Sequence, residues 1–238
     1  MRSFDQMSGL VRENMASRDS ALLREELRDL SALKGPYAPF SVDKARNDPI
    51  DLFESWLRAA IKAGISEPHA MTLSTVDQDG GPDARIVILK DLDELGWHFA
   101  SSKESAKGRQ IAANDRAAMT FYWRELGRQV RIRGTIKRLG RDVSSRDFSA
   151  RSRTSKALAL IGKQSEILAD WADLEVALEE RLDSLDADPS IYAPQWAAYA
   201  MVASEIEFWQ ASSSRAHRRV RFIRSADRQS WRSELLWP

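Results

Sequence analysis

The sequence has no cysteine and only three histidines, His69, His98 and His217, in 238 residues. The first absence excludes disulfides, thiolate nucleophiles and zinc–thiolate sites together. The second leaves no histidines at metal-ligand spacing, so no metal is expected. An excess of one charge is also missing, because 36 basic residues face 35 acidic ones, a formal net charge of +1. That balance sets up no global field for nucleic acid or an anionic membrane, and neither is expected as a partner. No apolar run reaches the length of a membrane span or a signal-peptide core, so a cytoplasmic protein is the expectation. A Walker loop, a G-x-G-x-x-G fingerprint and a nucleophile elbow are all absent. Any anion chemistry must come from local clusters.

What is present is ordinary for a globular chain, with 43% hydrophobic and 30% charged residues. Residues 1 to about 34 carry a helical pattern with Leu23, Leu27 and Leu30 on one stripe, closed by Gly35-Pro36. A proline-containing linker follows, so 1–47 reads as an N-terminal helix and linker and 48–238 as the main domain. In "DPIDLFESWLRAAIKAG" Asp48 is placed to cap a helix, with Pro49 at its first position and Gly64 beyond its end. Ile50, Phe53, Leu57, Ala60 and Ile61 form its apolar face.

Strand patterns then take over. "AMTLSTVD" and "ARIVILKD" flank Gln78-Asp79-Gly80-Gly81, a hairpin signal, and "GWHFASS", "AAMTFYW" and "RQVRIRGTIKRL" follow. A short helix capped by Ser105 interrupts them. Helical patterns return from about residue 142 to Leu185, before strands resume at "AAYAMVA", "EIEFWQ", "RVRFIR" and "SWRSELLW". This order predicts an α+β fold, a mostly antiparallel barrel with peripheral helices, rather than a parallel α/β sheet. "RIVILK" is apolar on both faces, so a barrel interior covers one face and either an outer helix or a second subunit the other.

The run "SRAHRRVRF" raises the functional question. At a period of two, Arg215, His217, Arg219 and Arg221 share one strand face. Such a face is either solvated, with arginines that discourage edge pairing, or it meets a planar anionic ligand. Other residues fit the second reading. Arg85 and Lys90 bracket a strand, and Lys107 lies in the first turn after Ser105, where the helix dipole favours an anion. Gln129, Gln164 and Ser165 offer donors to a polar ring edge, and Trp209 offers a ring face. Together these suit a nucleotide-like cofactor, while a purely structural role for each stays open.

"EPHAMTLSTVDQDGGPDARIVILK", "KGRQIAAN", "FYW", "LGRQVRIRG", "KQS" and "EFWQ" with the Arg/His run occur in the order seen in the pyridoxine/pyridoxamine 5′-phosphate oxidase family. The resemblance runs from about Asp48 to Pro238. It implies a split β-barrel, a homodimer with flavin mononucleotide (FMN) at the interface, and O2 as second substrate. It assigns Arg85, Ser101 and Lys107 to the flavin phosphate, and the backbone of Ile86, Val87, Ile88, Leu89 and Lys90 to the ring. Gln129, Gln164, Ser165, Trp209 and Arg219 complete that set. For the substrate it implies phosphate contacts from Lys90, Arg151 and Ser155, with Arg215 and His217 over the substrate ring as the catalytic pair.

The departures are specific. Ala100-Ser101 stands for the family's Tyr-Thr, and Ala106-Lys107 for its Arg-Lys, losing one phosphate cation. Asp147 replaces the tyrosine that binds the substrate phosphate, and Arg218 replaces an aspartate between the family's histidine and last arginine. These changes are also similar to the phenazine-biosynthesis branch, which oxidises reduced tricyclic intermediates on the same barrel. Lys90, Arg151 and Ser155 argue for a phosphorylated substrate instead. A non-catalytic binder of flavin or pyridoxal phosphate, or a switch to a deazaflavin, is the third reading.

Overall fold

The structure is a computed structural model that describes residues 20–33, 35–38, 40 and 48–238. The first part of the expected N-terminal helix therefore lies outside the described residues. Helix α1 spans Ser20–Asp29; Leu30 falls beyond it, and Leu23, Leu27 and Leu30 are all exposed. Helix α2 spans Pro49–Lys62, with the Asp48 carboxylate accepting from the Ile50 N–H at 2.7 Å. Its buried face differs from the expectation in one respect. Trp56 is buried and Ile61 is exposed, because the apolar stripe turns toward Phe40 and Phe208, which pack edge-on against Trp56 at 5.3 and 5.2 Å.

The strands are β1 (Ala70–Val76), β2 (Pro82–Ile88), β3 (Asp91–Asp93), β4 (Gly96–Ser102), β5 (Arg116–Trp123), β6 (Arg128–Arg138), β7 (Trp196–Gln210), β8 (Arg218–Arg224) and β9 (Trp231–Leu236). Between them lie α3 (Ala106–Ala113), α4 (Arg141–Ser149), α5 (Arg153–Ile161) and α6 (Trp171–Ala187). The sheet order is β2-β1-β5-β6-β7-β4-β3, with β8 added to β7 and β9 to β8. The pairs are antiparallel. The Lys90 N–H donates to the His98 carbonyl at 2.8 Å, tying the end of β2 back to β4 and curling the sheet into a split barrel. Asp77 locks the β1–β2 turn by accepting from the N–H groups of Asp79 and Gly81.

Strand β7 organises the sheet. Its first half pairs with β4, its second half with β8, and β6 runs along most of its length. The two runs read separately in the sequence are thus one strand. It bends at Ser204, where the register with β6 shifts between Arg133 and Gly134. A Cβ on Gly134 would stand 2.1 Å from the Val202 carbonyl oxygen, so only glycine allows that approach. Inside the barrel Phe53 packs edge-on against Trp97 at 5.4 Å and Phe121 at 4.9 Å. Each such side chain contributes about 1.5–3 kcal/mol on full burial. A smaller core of Phe148, Ala159, Ala193 and Trp196 fastens α4 and α5 to the start of β7.

Candidate functional site

The expected site residues form three groups. The first surrounds the start of α3. Ser105 caps that helix, its hydroxyl accepting from the Gly108 N–H at 3.2 Å and donating to the Ser102 carbonyl at 2.7 Å. The Lys107 ammonium points back to Ser101 Oγ at 3.2 Å and Ser105 Oγ at 3.5 Å. Only 9% of Lys107 is exposed, and among the described residues no carboxylate is within ion-pair distance of it. Burial first, then the charge of Arg85, pulls its pKa below the ordinary lysine value, with Asp83 opposing. Ser165, in a left-handed turn at φ 75°, accepts from the Ala106 N–H at 3.3 Å.

Arg85 is fixed beside this group by three neutral acceptors and one carboxylate. It donates to Thr75 Oγ1 at 2.6 Å, the Leu73 carbonyl at 3.1 Å and Gln110 Oε1 at 3.1 Å, and it pairs with Asp83. Gln110 closes the cluster by donating to Asp83 at 3.0 Å. That bond, ahead of the charge of Arg85, holds the Asp83 carboxyl below the usual carboxylate range. Sequence reasoning missed Thr75, Asp83 and Gln110. The signals were available: Asp83 faces Thr75 in the hairpin register, and Gln110 lies one helical turn beyond Lys107.

The second group gathers around Trp196. Asp147 Oδ2 accepts the Trp196 indole N–H at 2.7 Å, and the Arg151 guanidinium lies 4.1 Å over the same ring. Burial lowers the pKa of Arg151, and the charge of Asp147 opposes that shift. Ser155 is engaged locally: its N–H reaches Ser152 Oγ at 3.3 Å, its Oγ accepts from that hydroxyl at 2.9 Å, and its carbonyl accepts from Arg151. Lys90 is exposed two residues beyond β2, and Arg85 lies in the middle of that strand, so the two do not bracket it as expected. Ser102 is the register partner of Trp196, so the first two groups adjoin across β4 and β7.

The third group lies at the other end of β7. Gln129, Trp209 and Arg219 are register partners across β6, β7 and β8, and the His217 ring leans on Trp209 at 4.8 Å. Here the expected four-residue strand face is corrected. Strand β8 begins at Arg218; Arg215 has φ 62° and belongs, with His217, to the preceding turn. His217 Nδ1 accepts from the Ser212 N–H at 3.2 Å. A turn forms because Ser212 to Ser214 bond one another rather than a strand partner. Arg219 and Arg221 do share a face, and both are paired with carboxylates of β7 and β9.

Ser101 faces Ala197, whereas Trp209 lies twelve residues further along β7, about 40 Å of extended strand. One chain therefore places Ser101, Lys107 and Ser165 at one end of β7 and Gln129, Trp209 and Arg219 at the other. Gln164 is exposed, and so is Ile86, at 64%, on the outer face of edge strand β2. A cleft of about 450 Å³ at the start of α4, lined by Lys103, Arg138, Arg141 and Tyr192, contains none of the expected site residues.

Residues 57–183 match the family described as pyridoxamine 5′-phosphate oxidase. Residues 196–238 match the pyridoxine 5′-phosphate oxidase C-terminal dimerisation region. A pyridoxine/pyridoxamine 5′-phosphate oxidase from Burkholderia lata is 41% identical over 212 residues, 88% of this chain and 99% of the relative. One from Salinibacter ruber is 40% identical over 216 residues, 88% and 99% of the two chains. Among solved structures, PhzG from Burkholderia lata in complex with tetrahydrophenazine-1-carboxylic acid superposes with a TM-score of 0.78 at 30% identity. That alignment covers 86% of this chain and 100% of PhzG. An FMN-binding protein from Nostoc punctiforme shares the fold, with a TM-score of 0.62 at 16% identity over 78% of this chain and 96% of its own. The chain belongs to the pyridoxine/pyridoxamine 5′-phosphate oxidase family.

Proposed function

We propose that the chain is an FMN-dependent oxidase that converts pyridoxine or pyridoxamine 5′-phosphate to pyridoxal 5′-phosphate, with O2 as electron acceptor and peroxide as product. The observation that carries the reading is Lys107. A buried ammonium that meets only hydroxyls, beside Arg85 and at a helix start, suits a dianionic phosphate that would neutralise it. Arg85, Lys107 and Ser101 would hold the FMN phosphate. The backbone from Ile86 to Lys90, together with Gln129, Gln164, Ser165, Trp209 and Arg219, would hold the ring. When bound, FMN supplies the two-electron redox chemistry that side chains lack.

Because β7 separates Ser101 and Lys107 from Trp209 and Arg219, a site that uses both sets would draw on two copies. The family's dimerisation region at 196–238 and the exposed Ile86 support a homodimer. Lys90, Arg151 and Ser155 would bind the substrate phosphate, while Arg215 orients the substrate ring. His217, whose imidazole can both accept and donate a proton, would handle the proton. No helix among the described residues is long and apolar enough to cross a membrane.

Asp147 favours a second reading. A carboxylate beside Arg151 opposes a phosphate and suits a reduced polycyclic substrate, and PhzG is a relative solved with such a molecule. An aerobic peroxide assay with pyridoxamine phosphate, pyridoxine phosphate and a dihydrophenazine decides between them. The purified protein should be yellow and bleach on anaerobic addition of the true substrate. A colourless protein that produces no peroxide from any of the three would refute both readings.

A further inference from the structure

Glu207 is the one carboxylate among the described residues that is buried, at 5% exposure. Its register partner on β8 is Arg221 and on β6 is Arg131. A carboxylate that served only to stitch the sheet would bond both. It bonds Arg131, whose NH1 reaches Oε2 at 3.2 Å, but passes over Arg221. Instead Oε1 reaches diagonally to Arg219, accepting from Nε at 2.9 Å and forming an ion pair with NH2 at 2.8 Å. Arg221 turns to Glu234, and its buried Nε is left with no partner. Buried unsatisfied donors are rare, and local conflicts of this kind concentrate where function overrides packing.

The remaining nitrogen of Arg219, NH1, donates to the Trp237 carbonyl at 2.9 Å. Nε and NH1 therefore donate to fixed acceptors, and NH2 lies against the same carboxylate oxygen. A guanidinium has five N–H groups. Three make no hydrogen bond, and Glu207 decides their direction. Arg219 is the register partner of Trp209, which in turn pairs with Gln129.

We propose that Glu207 is a positioning residue for the cofactor site: it aims Arg219 at the flavin and offsets the guanidinium charge there. The proposal rests on the reading that the Gln129–Trp209–Arg219 row meets FMN. Glu207 acts through Arg219 and does not itself touch the ring. The neighbouring Arg131 is bound to the other oxygen, across β6.

The test is titration of FMN into the cofactor-stripped protein, followed by quenching of flavin fluorescence, alongside thermal unfolding of the same samples. Glu207→Gln should raise the FMN dissociation constant at least tenfold, and Glu207→Asp, which keeps the charge and the fold, should lie between it and the parent. Arg131→Ala should change affinity by less than about threefold. Arg219→Met should lose at least as much as Glu207→Gln, and the double variant should be no worse than Arg219→Met alone. Additive losses would mean that Glu207 does not act through Arg219. Parent-like FMN affinity in both Glu207 variants would overturn the positioning role while leaving the flavin reading intact. A parent that fails to bind FMN would overturn the flavin reading and this proposal with it.

Discussion

Asp147 holds the indole N–H of Trp196 at 2.7 Å while Arg151 stacks 4.1 Å over the same ring. The indole therefore joins a carboxylate and a guanidinium in the group expected to meet substrate phosphate. Two unit negative charges about 4 Å apart repel by roughly 4 kcal/mol at an effective dielectric near 20. A phosphate bound at Arg151 would feel that repulsion from Asp147.

Asp147→Tyr is expected to tighten binding of pyridoxamine 5′-phosphate at least tenfold with flavin affinity unchanged. Asp147→Asn separates charge from geometry, because it keeps an acceptor for the indole and removes only the charge. It should recover part of the gain. Asp147→Tyr alone should lower stability, since an orphaned buried donor costs about 1–3 kcal/mol. Titration and thermal unfolding of all three proteins check this. A parent that binds the phosphate ester at micromolar levels, with no gain in either variant, would show that Asp147 does not face the substrate.

Lys107 predicts a trade between stability and cofactor binding. Its folded pKa lies below its unfolded one, so the unfolded chain binds more protons between the two values, and apo-protein stability rises with pH through that window, up to about 10.5. Lys107→Met should raise the melting temperature of the apo-protein at neutral pH and weaken FMN by about one to two powers of ten, the worth of a charge-assisted bond of about 1.5–3 kcal/mol. In the parent, FMN affinity should fall as pH climbs through the lowered pKa, and Lys107→Arg should abolish that dependence. Full flavin occupancy in purified Lys107→Met would remove the role.

Much of this was legible in the chain. The Asp48 cap, the hairpin at Gln78 to Gly81, the Ser105-capped helix and the barrel strands follow from local rules that the structure obeys. What escaped depends on long-range pairing. The continuity of β7 through Ser204 rests on its pairing with β6, and Ser204 and Glu205 interrupt the apolar run as an ordinary turn would. The strand reading of Arg215 and His217 failed because alternation alone cannot see the hydrogen bonds of Ser212 that turn the chain. Lys107 was identifiable from its helix position, whereas its partners Thr75 and Gln110 needed the hairpin register and the helix to be set side by side.

Assembly gives a further expectation. Strand β2 is an edge of the sheet, and Ile86 on its outer face is 64% exposed in one chain. An exposed apolar edge strand is an association site unless charge blocks it. Ile86→Glu should convert the dimer to monomer in sedimentation at micromolar concentration, with loss of bound flavin and a folded circular-dichroism spectrum. A variant that stays dimeric, or a monomer that keeps its flavin, would contradict the composite site.

Arg218 carries the last prediction. Where the family has an aspartate, its NH1 donates to the Phe40 carbonyl at 2.7 Å. Phe40 is buried edge-on against Trp56, and Arg128 covers the Trp56 ring at 4.5 Å. Arg128 also donates to Gln210, the register partner of both Arg128 and Arg218. The linker is thereby clipped to the strand ends whose next residues are Gln129, Trp209 and Arg219. Because Arg218 is exposed, the lost bond should cost only about 1 kcal/mol, a fall of roughly 2–4 °C in melting temperature for a chain of this size. Phe40→Ala should cost about 3–5 kcal/mol, as large-to-small changes in a core do. Arg218→Ala should also speed hydrogen exchange at Tyr37 and Phe40 without altering exchange in β1 or β5. Arg218→Asp, restoring the family residue, should do so at least as strongly, since a carboxylate cannot donate to the carbonyl. Unchanged exchange at Phe40 in both variants would show that apolar burial alone holds the linker.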